Sequence, residues 1–174
     1  MIKLLRKRRS IRKYAEKPVP AGVQKRLVEA LLRSPSSRDI RPWRFVFIDD
    51  PSLLEKLSRS KASGAGFLAR APLGIVICGD EKTSDVWIED CSIASIMVQM
   101  AALELGLGSC WIQIRNRSTS DGTPSEAYVR NAISLPNNFR VLSMIALGYP
   151  AEKKRQISRR KLSFNKVFRN RFEG

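Results

Sequence analysis

Four residues near the start of the chain, Arg8, Arg9, Ser10 and Arg12, are of the types that hold a phosphate. Guanidinium forks match phosphate oxygens in pairs and a serine hydroxyl adds a donor, so the cluster can grip one dianion. The same residues also read as a solvated basic arm. Elsewhere the inventory removes chemistry. The sequence has no histidine, which excludes Ser-His-Asp and Cys-His catalysis in their usual forms and every His-ligated metal site. Its cysteines, Cys78, Cys91 and Cys110, are far apart and form no C-x-x-C pair. They are expected to be reduced core thiols rather than redox or metal groups, and no metal site is expected. Gly106-x-Gly108 is followed by Trp111 where a dinucleotide fingerprint needs glycine, and it ends a helical pattern instead of opening one. A P-loop is excluded as well, because no G-x-x-x-x-G-K run is present.

Charge is distributed unevenly around that cluster. The sequence carries 32 basic against 16 acidic residues, a net +16. Residues 1–14 hold seven bases and no acid, and residues 152–174 hold nine bases and two acids. The body between them, residues 15–151, has 16 bases against 14 acids and is close to neutral. So basic a chain raises a nucleic-acid-binding alternative, with Phe164, Phe168 and Phe172 stacking or anchoring between phosphate grips. Helix-turn-helix, zinc-finger and RNA-binding aromatic signatures are missing, so nucleic acid is not the expected partner. At ~150 residues per domain, residues 1–174 read as one domain, with residues 151–174 a basic extension. The longest apolar run is four residues, too short for a membrane helix. No charged segment followed by an apolar stretch opens the chain, so a cytoplasmic protein is expected.

The elements that must position the cluster follow from periodicity. KPVP (17–20) stops any helix begun in the N-terminal arm. Val23, Leu27, Ala30 and Leu31 recur at helical spacing, and Ser34-Pro35 closes that helix. Residues 44–48 read as a short buried strand, and Asp50-Pro51 opens a helix with Leu53, Leu54 and Leu57 on one face. A second strand is predicted at 73–78. Residues 86–105 are apolar on nearly every side, as in a helix buried between layers or in a subunit interface. Glu89 and Asp90 at its start suit the helix dipole better than catalysis. Gly106 and Gly108 end it, a third strand follows at 109–114, a short helix at 125–133 and a fourth strand at 141–147. The cationic tail offers Leu162, Phe164, Val167, Phe168 and Phe172 as anchors. Alternating helices and short apolar strands predict an α/β or α+β sandwich.

Four blocks in order carry a resemblance: RRSIRKY (8–14), SPSSRDIRPWRF (34–45), EDCSIASIMVQMAALELGLGSCWIQIRNR (89–117), and ALGYP (146–150) followed by a basic segment. Together they resemble the FMN-dependent nitroreductase family, and within it the short NAD(P)H-dependent nitroreductase-type proteins. The resemblance implies an α+β fold: a three-layer α-β-α sandwich with a mainly antiparallel central sheet and a long buried helix. It also implies an obligate homodimer with FMN at the interface. Arg8, Ser10 and Arg12 are then implied to grip the FMN phosphate, with Arg9 beside them. Arg159 and Lys161 are implied to close on the same phosphate, with Arg160 an alternate, so that both cationic ends share one partner.

By the same resemblance, the loop with Ser36, Ser37, Pro42 and Trp43 borders the flavin ring and the substrate space. Asp39 stands where the family usually has asparagine, and Arg41 where it has glutamine. A carboxylate cannot donate an amide's hydrogen bonds, so the exchange bears on ring contacts and substrate charge. Trp43 reads equally as core packing or as a flavin contact. Cys110, Trp111, Ile112 and Gln113 correspond to the flavin-edge strand, whose backbone faces the pyrimidine ring; Trp111 and Ile112 also read as plain strand core. The implied reaction is ping-pong electron transfer from NADH or NADPH through FMN to nitroaromatic, quinone or similar small acceptors. Arg41, Arg115 and Arg117 suit the 2′-phosphate of NADPH. No protein catalytic residue is implied, because the chemistry belongs to the flavin N5. A flavin-binding module or a specialised flavin-modifying enzyme on the same fold is the alternative.

Overall fold

All four apolar runs become strands in the computed structural model, which describes residues 1–172. Strand β1 is Trp43–Ile48, β2 Leu73–Asp80, β3 Gly108–Gln113 and β4 Phe139–Gly148. They form one sheet in the order β1-β2-β4-β3, every neighbouring pair antiparallel. The helices are α1 (Ile2–Lys7), α2 (Ala21–Leu32), α3 (Pro51–Ser58), α4 (Trp87–Glu104) and α5 (Ser125–Ala132). Helix α1 adds to the expectation for the N-terminal arm. It ends one residue before Arg8, leaving the basic cluster extended.

Central strands explain the sequence pattern. Leu73 to Gly79 and Val141 to Gly148 are buried at every position, so their runs show no polar alternation. Alternate side chains still divide into two cores. Ile75, Ile77, Ile145 and Leu147 meet Leu27 and Leu31 of α2 and Cys91, Ala94 and Val98 of α4. Val76, Cys78, Met144 and Ala146 meet Leu54 and Leu57 of α3 and Val129 of α5. The fold is therefore the expected α-β-α sandwich. Helix α4 is apolar around its circumference: its inner side lies on the sheet, while Ile93, Ile96 and Met97 remain exposed. At α3, Asp50 caps the first turn by accepting from the Leu53 N–H at 2.8 Å.

Among the described residues, no helix is long and apolar enough to cross a membrane. The cysteines are free and buried, and burial pushes the Cys78 thiol up to about 12. From Arg155 to Phe172 the cationic extension is exposed at every residue. Its last two residues, Glu173 and Gly174, lie outside the described residues.

Candidate cofactor site

Residues 10–15 are held between β3 and the chain leaving β4. Ser10 bridges Ser109, and the Ile11 N–H donates to the Ser109 carbonyl at 3.0 Å. Glycine at 108 permits this approach, since a Cβ there would stand 2.8 Å from the Ile11 side chain. The Tyr14 hydroxyl donates to the carbonyls of Ile11 at 2.6 Å and Ala146 at 3.2 Å, and burial raises the phenol's pKa so that it stays a donor. On the other side, the Ala15 N–H donates to Tyr149 and the Ala151 N–H to Lys13, both at 2.9 Å.

This segment turns Ser10 and Arg12 toward β3. Burial raises the Cys110 thiol, while Arg12, Ser10, Lys154 and Arg8 pull it back down in that order. Lys154 Nζ donates to the Ser10 carbonyl at 2.9 Å. The Arg12 guanidinium lies over the Phe67 ring, 5.7 Å from its centroid. No ion pair among the described residues involves Arg8, Arg9 or Arg12. Strand β3 is an edge strand, and among the described residues the N-terminal segment pairs with its outer side only at Ser109, leaving that side of Cys110–Gln113 without a backbone partner. Cys110 and Ile112 are buried, while Trp111 donates from Nε1 to Gln113 Oε1 at 3.0 Å. A groove of about 1270 Å³ opens beside Arg12, Tyr14, Lys17, Phe67 and Arg70.

The second predicted element, the loop before β1, is built differently. Ser36 Oγ accepts from the Arg41 N–H at 2.9 Å, and the Ser37 N–H donates to Asp90 Oδ1 at 2.8 Å. Arg38 pairs with Asp85. Arg38, Asp39 and Arg41 all have left-handed backbone, at φ 52°, 53° and 55°. Such conformations cost an L-residue ~1 kcal/mol or more, and the Asp90 and Ser36 bonds hold the loop against that cost. Asp39 and Arg41, the two departures from the family pattern, form a two-pronged ion pair at 2.7 and 3.0 Å. Neither charge is presented alone. Trp43 is 5% exposed in the core between the sheet and α2 and α4, its ring 5.3 Å from Phe45. Its indole Nε1 is buried without a partner.

Within one chain these sets stay apart. β1 and β3 lie on opposite edges of the sheet, three strand spacings or ~14 Å from each other. Trp43 is level with Arg140 of β4 and Cys110 with Ala146, a further ~20 Å along the strands. Arg159 and Lys161 occupy an exposed turn, Arg159–Lys161, with no hydrogen bond to Arg8, Ser10 or Arg12. Three contributors escaped sequence reasoning. Lys154 and Glu152 were visible only as part of a basic segment following ALGYP. Asp90, 2% exposed and the one buried carboxylate among the described residues, was assigned to the helix dipole, although it also anchors the Ser37 loop.

A family model, the Nitroreductase family, matches residues 5–65 and 59–149. The chain belongs to the nitroreductase family. A Methanothermobacter thermautotrophicus protein, provisionally named an NADH dehydrogenase/NAD(P)H nitroreductase, is 36% identical over 158 residues, covering 87% of this chain and 78% of its own. The solved structure of an FMN-dependent nitroreductase from Clostridium difficile R20291 is 43% identical with a TM-score of 0.97, over 99% of this chain and 100% of that one. A protein from Parabacteroides distasonis, with the same provisional name as the archaeal relative, is 30% identical at a TM-score of 0.89, over 98% of each chain. Nitroreductase-family likeness thus extends along almost the whole length of the chain, including the strands and loops that carry the candidate site.

Proposed function

We propose that this nitroreductase-family oxidoreductase binds FMN and passes electrons from NADH or NADPH to nitroaromatic, quinone or similar small acceptors by a ping-pong mechanism. The observation that carries the reading is a cluster of arginines with no ion pair among the described residues, beside an unpaired strand edge. Arg8, Ser10 and Arg12 hold the phosphate, with Arg9 and Lys154 adding positive potential. The free backbone of Cys110–Gln113 offers N–H and C=O groups to the polar edge of the ring. When bound, FMN supplies the hydride and electron chemistry, which explains why no histidine or metal is required. The chain's own residues bind and orient it, and protons come from water.

The other half of the site comes from a second copy. Ser36, Ser37, Asp39 and Arg41 lie on the far edge of the same sheet, beyond the reach of one ring held at β3. A homodimer that brings this loop over the partner's β3 completes the site. The exposed Ile93, Ile96 and Met97 of α4 and the bare aromatics of the tail supply apolar surface for that association. In that arrangement Arg159 and Lys161 reach a phosphate from the C-terminal side. Arg41, paired to Asp39, offers less net charge to a 2′-phosphate than a free guanidinium, leaving Arg115 and Arg117 as the groups that favour NADPH. The whole chain acts as one domain in the cytoplasm.

The test is a visible absorption spectrum of the purified protein, then heat release and identification of the chromophore. One FMN per subunit is expected, followed by NAD(P)H oxidation with an added quinone and parallel double-reciprocal lines. A colourless protein that refuses added FMN defeats the proposal.

A further inference from the structure

Glu152 is the one acid among the described residues of the cationic C-terminal arm. Its side chain is only 19% exposed, yet it pairs with none of the three arginines nearby. Oε1 accepts from the backbone N–H of Arg12 at 2.6 Å and of Lys13 at 3.3 Å, and lies 3.4 Å from Lys154 Nζ. Lys154 in turn holds the Ser10 carbonyl at 2.9 Å. Two residues of one arm thereby hold the backbone from the Ser10 carbonyl to the Lys13 N–H, across 140 positions of sequence. The choice of partners matters. A carboxylate on a guanidinium would compete with a bound phosphate, whereas one on peptide N–H groups leaves the guanidiniums free. The Arg12 N–H bond in particular holds the Glu152 carboxyl below the usual range, so it is ionised at neutral pH.

We propose that Glu152, with Lys154, is a positioning residue for anion binding. It sets the backbone of residues 10–13 so that Ser10 and Arg12 present their donors to a phosphate. It thereby gives the site its preference for a flavin carrying a phosphate over the same flavin without one. This rests on the flavin reading above. Glu152 itself touches no ligand, and Lys154 offsets its negative charge.

The preference is measured by titrating the apoprotein with FMN and with riboflavin and following flavin fluorescence. Wild type is compared with Glu152→Ala, Glu152→Gln and Lys154→Met, and thermal unfolding of each apoprotein reports the fold. Glu152→Ala is expected to weaken FMN on the order of tenfold while leaving riboflavin unchanged. Glu152→Gln should recover part of the loss, because its amide oxygen still accepts from the Arg12 N–H but no longer pairs with Lys154. An unchanged ratio of FMN to riboflavin affinity in these variants overturns the inference, whether neither affinity moves or both fall together. Should Glu152→Ala fail to fold, Glu152→Gln supplies the same ratio, since Lys154→Met also removes a charge that acts on the phosphate itself. Wild type that binds neither flavin overturns the flavin reading along with this one; wild type that prefers FMN, with variants that keep its ratio, overturns this one alone.

Discussion

Residues 1–14 and 152–174 each carry a net charge of +7, yet one is pinned against the sheet while most of the other stands clear of its own chain. The difference lies in the apolar residues between the bases. In the first, Ile11 and Tyr14 enter the core, and backbone bonds to Ser109, Tyr149 and Ala151 follow. In the second, Leu162, Phe164, Val167, Phe168 and Phe172 remain exposed, and Phe168 and Phe172 meet each other at 4.4 Å. Like charge gives both segments the same long-range attraction for an anion, but only side-chain burial fixes a position. The glutamate at the junction shows where one regime gives way to the other.

The comparison breaks most sharply if the tail is removed. Truncation after Arg155 leaves the sandwich core intact and takes away six exposed apolar side chains, Ile157 among them, each worth ~1.5 kcal/mol or more if a partner buries it. Dimer dissociation should then shift by several kcal/mol in sedimentation equilibrium, with the far-ultraviolet spectrum of the rest retained. An unchanged constant means that the tail covers no partner. Next in size are single arginines from each end. Arg12→Ala should weaken FMN by about 1.5–3 kcal/mol relative to riboflavin, and Arg159→Ala by less, since Arg159 is not pinned. Calorimetric titration separates them, and no loss at Arg159 means the two ends do not share a phosphate.

The smallest effect is a pH dependence at the junction. Glu152 has a lowered pKa in the folded chain, first through the Arg12 N–H bond. Its contribution is therefore complete above the unfolded glutamate value, ~4.3, and is lost as pH falls through the lower folded value. The stability gap between wild type and Glu152→Gln, under about 1 kcal/mol for a partly exposed group, should shrink below about pH 4 in acid denaturation series. A gap that widens there assigns the wrong sign to the carboxylate.

Much of the scaffold was legible because its signals are local. The strand at 73–78 and the helix at 86–105 are mainly apolar stretches bounded by breakers, and each falls within a residue or two of its element. Ser10 and its arginines were legible as residue types. Asp39 and Arg41 were legible as departures, but not as each other's partners: that pairing needs left-handed backbone at Arg38, Asp39 and Arg41, for which the sequence offers no glycine as a sign. Trp43 was balanced between two readings in the sequence, and its burial beside α2 was not legible there.

From sequence alone came the element types, the absence of histidine chemistry and the residues fit to hold a phosphate, all properties of residue type or of neighbours within a turn or a strand. Tertiary structure alone decided that β1 and β3 would be opposite edges, which separates the Ser37 loop from the segment of Ser10 and Arg12. It also decided that Glu152 would close on peptide groups 140 residues away. Strand order and long-range hydrogen bonds are set when the whole core closes, because only then does each buried donor find its acceptor.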